Sequence, residues 1–405
     1  KISEVPTDIQ YLTKLSSLKL NGNEKISTLP PELGRLNMYD LKVDGCRLTE
    51  PLASMFKSEF VKDVLGYLRS ILDDAKPYTR MKLMLVGKAC IGKTSLLNEL
   101  RKEGVGSASQ TAETFAERQG NANIGGKTRG GKYLSTVGVD VSEWTYNKKK
   151  SKYGKVTFST WDFGGQEEFY ATHQYFLTKR SLYLVLFKIT DGMKSINQIQ
   201  QWLVNIQARA PNSPVLLVGT HYDVIVRPKS KYSKEYWPDL QRKIMDRFIR
   251  IAQPQDVGLP NVLDCIEICC LPMSRNYNVG TLRDKIYDVA YSITEGRDRD
   301  PMLMQRIPTS YLALEKAVMY IASHMRRVGT EPVLHTLEYR TEVTRVMLEQ
   351  SQISFHNKED LLQATRFLHN NGILLHYEDS MLGDYFFLDP QWLCDTLAKI
   401  VTIPE

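Results

Sequence analysis

The sequence predicts a multi-domain chain in which an α/β domain lies between the end of a repeat solenoid and a smaller α+β domain. Three observations predict it. A short apolar motif recurs at a fixed period near the N-terminus, a glycine-rich loop follows an apolar strand at Lys82 to Val86, and a helix–turn–strand pattern closes the chain. At 405 residues the chain exceeds the size at which single cores stop growing.

Hydrophobic residues make up 42% and charged residues 24%, an ordinary globular balance that excludes large-scale disorder. The net charge of +7 is mild and diffuse; it suits an anionic small molecule and does not by itself indicate nucleic acid. The six cysteines, Cys46, Cys90, Cys265, Cys269, Cys270 and Cys394, form no CxxC pair, so neither a disulfide framework nor a zinc site is expected. No run approaches the roughly 18 apolar residues of a membrane span, and no signal-peptide layout opens the chain. A cytoplasmic location is expected, with peripheral association with membranes or cytoskeleton left open.

Near the N-terminus, Leu18-Lys19-Leu20 with Asn23 recurs 23 residues on as Leu41-Lys42-Val43 with Cys46, and Pro6 echoes Pro30. This is leucine-rich repeat spacing, and neither of two such units can bury its core alone. More repeats are expected before Lys1. Because the pattern already runs at Lys1-Ile2-Ser3 and Ile403-Pro404-Glu405 carry no closing feature, the chain reads as a fragment of a longer one. Ser58 to Asp74 places Phe60, Val61, Val64, Leu65, Leu68 and Leu72 on one helical face, an expected cap for the repeat stack, and Pro77 breaks that helix.

From Met81, short apolar strands alternate with helices, the pattern of a sheet covered on both faces. The expected strands are Lys82 to Val86, Val137 to Tyr146, Val156 to Asp162, Leu182 to Phe187, Val215 to Val218 and Val262 to Ile268. Lys148 to Lys152 reads as a solvated hairpin tip, and Ile196, Ile199, Trp202, Leu203 and Ile206 as the core face of a helix. After Ile307-Pro308, Tyr311, Leu312, Leu314, Val318 and Ile321 predict a further helix. A helix at Leu361 to His369, a turn at Asn371-Gly372, and strands at Ile373 to Tyr377 and Tyr385 to Leu388 predict a winged helix. Glu359 and Asp360 beside Lys358 and Arg366 balance its charge, so protein contact is expected there and nucleic acid is not.

The chemistry lies in four segments. Gly87, Lys88, Ala89, Cys90, Ile91, Gly92, Lys93 and Thr94 match GxxxxGK[ST] between an expected strand and an expected helix, Ser95 to Arg101. In such a loop backbone N–H groups and the helix N-terminus face phosphates, Lys93 meets the β/γ oxygens and Thr94 ligates Mg²⁺. Asp162-Phe163-Gly164-Gly165-Gln166 is a DxxGQ sequence directly after an apolar strand. Asp162 can hold the metal through water, Gly165 can donate its N–H to the γ-phosphate, and Gln166 lies where a glutamine orients the attacking water. Thr136 is the expected switch threonine, offering its hydroxyl to Mg²⁺ and its N–H to the γ-phosphate. His173 reads as a structural or solvent-facing residue in preference to a base. The connection between Thr94 and Thr136, with Gly120, Gly125-Gly126 and Gly130-Gly131, reads as a flexible insertion. An arginine from it reaching the phosphates stays open, with nothing to select Arg129 over Arg118.

Base choice rests on Gly219-Thr220-His221-Tyr222-Asp223, which resembles the NKxD guanine motif after the strand Val215 to Val218. Asp223 can accept from guanine N1–H and N2–H₂, a donor pair that adenine lacks. Thr220 for asparagine and His221 for lysine remove a loop-tying amide and an aliphatic stem over the base, so modest guanine affinity is expected. Cys269 and Cys270 occupy the position of the SAK-type loop, with Cys269 where serine usually stands. The expected catalytic residues are therefore Lys93, Thr136 and Gln166, and the expected metal ligands Thr94, Thr136 and Asp162. Gly87 to Ser95, Gly165, Thr220, His221, Asp223, Cys269 and Cys270 are the expected nucleotide contacts.

Together with Trp161 through Tyr170, and with Phe367-Leu368 through Asp389-Pro390-Gln391-Trp392-Leu393, these motifs resemble the Roco family, close to the leucine-rich repeat kinases. The resemblance spans nearly the whole chain. It implies a leucine-rich repeat solenoid end over 1–50 with a capping helix and linker over 51–78. An α/β Ras-like P-loop GTPase domain (Roc) over 79–300 and an α+β winged-helix-like first part of COR over 301–405 would follow. It further implies GTP/GDP and Mg²⁺ as cofactors, a homodimer through COR, protein ligands of the repeats, and a serine/threonine kinase after COR that Roc–COR regulates. No kinase glycine loop or HRD element occurs in these residues. Gln166 keeps the Ras-like pattern where relatives often carry another residue, which favours hydrolysis by this chain's own groups. The long insertion before Thr136 is a second departure. The expected activity is slow Mg²⁺-dependent GTP hydrolysis; a non-hydrolysing nucleotide-bound scaffold and a P-loop ATPase are the rivals.

Overall fold

Apolar-rich runs form the long strands of the sheet here, and 3.6-periodic runs form helices. In chain order, β1 (Ser17–Lys19) and β2 (Asp40–Lys42) are followed by α1 (Leu52–Ser58), α2 (Val61–Asp74) and β3 (Ala75–Pro77). Next come β4 (Arg80–Val86), α3 (Lys93–Arg101), β5 (Val139–Asn147), β6 (Lys155–Phe163), α4 (Tyr170–His173) and β7 (Ser181–Lys188). Then follow α5 (Met193–Arg209), β8 (Pro214–Thr220), α6 (Tyr222–Val226), α7 (Tyr236–Phe248), β9 (Asn261–Glu267) and α8 (Val279–Ser292). The last elements are β10 (Arg306–Pro308), α9 (Thr309–Val328), β11 (Val333–His335), α10 (Thr336–Ser351), α11 (Lys358–Asn370), β12 (Tyr385–Phe387) and α12 (Pro390–Thr402). The computed structural model describes residues 2–49, 52–58, 60–104, 136, 138–166, 170–228, 230–270, 277–293, 303–355, 358–378 and 381–402. The glycine-rich insertion with Arg118 and Arg129, and Val137, lie outside the described residues.

The chain divides into two compact units, Lys1–Thr79 with Ala290–Pro390 and Arg80–Val289 with Gln391–Glu405. In the first, β1 and β2 pair in parallel with Leu18 opposite Leu41, an offset equal to the sequence period. Helix α2 packs on the turn at Pro31–Arg35, where Gly34 lies against the backbone of Arg69 so closely that no Cβ fits. Arg69 Nε donates to Gly34 O at 2.7 Å. The other face of α2 meets α9 and α11 in one core: the Tyr67 and Tyr311 ring centroids are 6.2 Å apart, and Phe367 lies 5.5 Å from Tyr311 and 4.9 Å from Tyr78. β3 and β10 close this unit as an antiparallel pair.

Two local expectations are corrected. Phe60 is 82% exposed, because it has extended backbone just before α2 and is not on the helical face. The wing strand expected at Ile373 to Tyr377 is reduced to one bridge, Leu375 to Phe387. The next ladder position is lost because Tyr385 donates its N–H to Leu382 O at 2.9 Å and its carbonyl meets the His376 ring Nδ1 at 3.1 Å. β12 pairs with β11 across the intervening helices.

The second unit is built on a six-stranded sheet of order β5-β6-β4-β7-β8-β9, parallel except for β5, which runs antiparallel to β6. β4, β7 and β8 are buried along nearly their whole length, as parallel strands covered on both faces must be. β4 lies between β6 and β7, so the loop leaving its carboxyl end opens where chain connections diverge, the usual ligand crevice of such sheets. The β5–β6 turn at Lys148 to Lys152 is not wholly solvated, since Lys148 Nζ bonds Asp288 at 2.6 Å.

Candidate functional site

The apolar run of β4 delivers the chain to Gly87, which has φ 143° and where a Cβ would lie 2.6 Å from Leu186 O. Gly92 (φ 97°) and Cys90 (φ 58°) are left-handed, and α3 begins at Lys93. Successive N–H groups in such alternating conformations form an anion-binding concavity, reinforced by the helix N-terminus. Lys93 Nζ donates to Gly87 O at 2.9 Å and Lys88 O at 2.7 Å, closing the loop on itself. Burial lowers its pKa to about 8, against the pull of Asp162. At the far end of α3, buried Arg283 donates to Leu100 O (3.1 Å) and Glu99 O (3.0 Å), satisfying terminal carbonyls of the helix.

Thr94 Oγ1 lies 2.8 Å from Thr136 Oγ1 and also bonds Asp162 Oδ2. Asp162 is 1% exposed and its Oδ1 is buried with no partner. Burial raises its pKa to about 6, opposed by Lys93 and by the Thr94 hydroxyl. Two hydroxyls and an unsatisfied carboxylate oxygen are a hard-oxygen donor set suited to Mg²⁺. Beneath them Arg101 Nη2 bonds Thr160 Oγ1 at 2.5 Å and also Ser142 Oγ.

The two loops flanking this set touch. Gly164 N–H donates to Gly138 O at 2.7 Å, and a Cβ on Gly164 would lie 2.6 Å from Thr136 O. Gly165 lies directly on the Lys88–Ala89 peptide, again with no space for a Cβ. Gln166 follows, half-buried. His173 is 2% exposed with its ring 4.8 Å from Phe163, and burial drives its pKa down to about 3, so it is a neutral core residue and not solvent-facing. Trp202 is buried and meets Tyr170 edge-on at 5.0 Å.

At the end of β8, Thr220 Oγ1 donates to Phe187 O (3.2 Å) and lies 3.0 Å from His221 Nδ1. The threonine hydroxyl thus ties the loop to β7. His221 is left-handed (φ 62°), and burial, then Lys188, lowers its pKa. Asp223 is buried and its Oδ2 pairs with Arg227 one helical turn on. Ile268 N–H donates to Gly219 O at 2.8 Å, which brings the Ile268–Cys270 loop beside this motif. The Cys269 N–H donates to Tyr277 O at 3.1 Å, and burial pushes the Cys270 thiol up to about 12.

Sequence reasoning missed Arg101, Arg227 and Arg283. Only Arg227 carried a local signal, the i,i+4 spacing to Asp223; the partners of Arg283 lie 183 and 184 residues away.

Two family profiles match: "Ras of Complex, Roc, domain of DAPkinase" over residues 123–223, and "C-terminal of Roc, COR-A domain" over residues 308–405. The chain carries Roc and COR-A domains. The Roc match contains Thr136, Asp162, Gln166 and Asp223. The Roc–COR-A chain is homologous over most of its length to leucine-rich repeat serine/threonine-protein kinase 1 and to Roco kinases. It is 37% identical to the Caenorhabditis elegans protein over all of this chain and 16% of that protein. Against the mouse protein the identity is 29%, over 99% of this chain and 19% of the relative. The chain thus spans under a fifth of the length of these relatives. The solved Methanosarcina barkeri Roco2 RocCORdC bound to GDP superimposes with a TM-score of 0.54 at 22% identity, covering 81% of this chain and 78% of that one. That likeness establishes the fold. Among the described residues no helix is long and apolar enough to cross a membrane.

Proposed function

We propose that this chain is a Mg²⁺-dependent guanine-nucleotide switch that hydrolyses GTP slowly and, as the Roc–COR part of a Roco kinase, controls dimerisation and a downstream serine/threonine kinase. The observation that carries it is the meeting of Thr94, Thr136 and Asp162 around an unpartnered carboxylate oxygen. Thr94, Thr136 and Asp162 would hold Mg²⁺, which offsets charge on the β- and γ-phosphates. Lys93 and the N–H groups of Gly87 to Ser95 bind the phosphates, Gly165 donates to the γ-phosphate, and Gln166 orients water in line with it. Asp223 selects guanine, with Thr220, His221, Cys269 and Cys270 around the base. The GDP carried by the M. barkeri relative supports the guanine reading. The parallel pairing of β1 and β2 supports a leucine-rich solenoid end whose ligands are proteins, and the expected setting is cytoplasmic.

Purified protein should convert GTP to GDP and phosphate, and Gln166→Ala should slow turnover by about tenfold or more; unchanged turnover removes Gln166 from the mechanism. The departures at Thr220 and His221 from the usual asparagine and lysine favour a second reading, a nucleotide-retaining scaffold that does not hydrolyse. Retained GDP without phosphate release from added GTP would establish that reading instead. Equal competition by ATP against labelled GTP would overturn the guanine assignment.

A further inference from the structure

An edge strand leaves one row of backbone groups without ladder partners, and β5 is the edge strand nearest the phosphate loop. One side chain fills part of that row. Gln391 accepts from the Val141 N–H through Oε1 at 2.6 Å and donates from Nε2 to Val139 O at 2.9 Å, so its amide imitates a neighbouring strand. Asp395 Oδ1, one helical turn on, holds the same Nε2 at 2.8 Å. Further along α12, Ala398 lies against Gly138, where an added Cβ would sit 2.8 Å from the Ala398 methyl; with φ 67° this position admits glycine readily and little else. Gly138 O in turn accepts from Gly164 N–H at 2.7 Å, and Thr136, two residues before Gly138, meets Thr94 at 2.8 Å.

We propose that Gln391 is a positioning residue of the nucleotide site: by clamping β5 and seating α12 on Gly138, it holds Thr136 over Thr94 and so selectively retains the triphosphate-bound state. The inference rests on the guanine-nucleotide reading above. Its physical basis is reciprocity, since a contact that favours one position of Thr136 must be favoured in return by whatever ligand that position binds.

The test uses the whole chain with Gln391→Ala and the shape-conserving Gln391→Met, measuring release of fluorescent GDP and of a fluorescent non-hydrolysable GTP analogue in Mg²⁺. The analogue should leave about fivefold faster or more, while GDP release changes by less than about twofold. In a Thr136→Ala background the Gln391 substitution should add nothing, as expected for a residue acting through Thr136. Equal acceleration of both nucleotides, or an undiminished effect without the Thr136 hydroxyl, overturns the proposal and leaves Gln391 a general stabiliser. Hydrogen exchange at Val141 separates this from failure of the nucleotide reading: the amide should lose protection in Gln391→Met with or without nucleotide. Unchanged exchange overturns the clamp itself. A wild-type chain that binds neither nucleotide, with the exchange change intact, removes the nucleotide reading and this coupling with it.

Discussion

On the proposed function, Asp162 is the residue at which stability and nucleotide binding should pull apart. Its carboxyl is raised from 3.8 to about 6 by burial, so at neutral pH the metal-free fold carries an ionised group that its surroundings disfavour. Asp162→Asn keeps the shape and removes the charge. At pH 7 in chelator it should raise stability by on the order of 1–3 kcal/mol, read as a higher Tm. The same variant should lose Mg²⁺-dependent retention of nucleotide, the trade-off usual at a strained site. An unchanged or lower Tm in chelator would show that burial of this charge is not what destabilises the metal-free fold. The motif residues were legible in sequence because each motif is local: DxxGQ and GxxxxGKT place their own backbone. The orphaned Asp162 Oδ1 was not legible, since it follows from burial in the assembled sheet, while Oδ2 is taken by a hydroxyl 68 residues away.

At the scale of elements, β4 contains a charge that its apolar pattern conceals. Lys82 is fully buried, donating to Phe176 O at 3.0 Å and lying 4.2 Å over the Trp161 ring, and burial lowers its pKa from 10.5 to about 7. Between these values the unfolded chain holds a proton that the folded chain has released. Stability contributed at this site therefore rises as pH increases from about 7 towards 10.5. Lys82→Met should remove that slope and, at pH 7, stabilise the fold by on the order of 1–3 kcal/mol. Urea titrations of both proteins across this pH range check it; equal slopes would mean that Lys82 stays charged. Strand positions in the sheet unit were legible because β4, β7 and β8 are mostly apolar, Lys82 excepted, and are bounded by turns. The wing strand at Ile373 to Tyr377 failed because a turn and a histidine ring, not a strand, take the backbone groups of Tyr385.

At the scale of the whole molecule, the first unit joins chain segments more than 200 residues apart through Tyr67, Tyr78, Tyr311 and Phe367. Phe367→Ala should cost about 3–5 kcal/mol within that unit. Hydrogen exchange should then rise together in α2, α9 and α11 while the central strands β4, β7 and β8 stay protected; a rise confined to α11 would show that the segments do not share one core. The sequence by itself determined what local chain geometry controls: the glycine turn from Gly87 into α3, the DxxGQ turn, the strand–helix alternation and the 23-residue period. Such features need only neighbouring backbone dihedrals and the side-chain period to be recognised. Tertiary structure alone decided which distant groups complete them. Arg283 ends α3, Gln391 covers the edge strand beside Thr136, and α2 becomes the shared wall of a core with α9 and α11. These contacts are set by packing and hydrogen-bond satisfaction across long loops, whose closure leaves no periodic signature in the residues between.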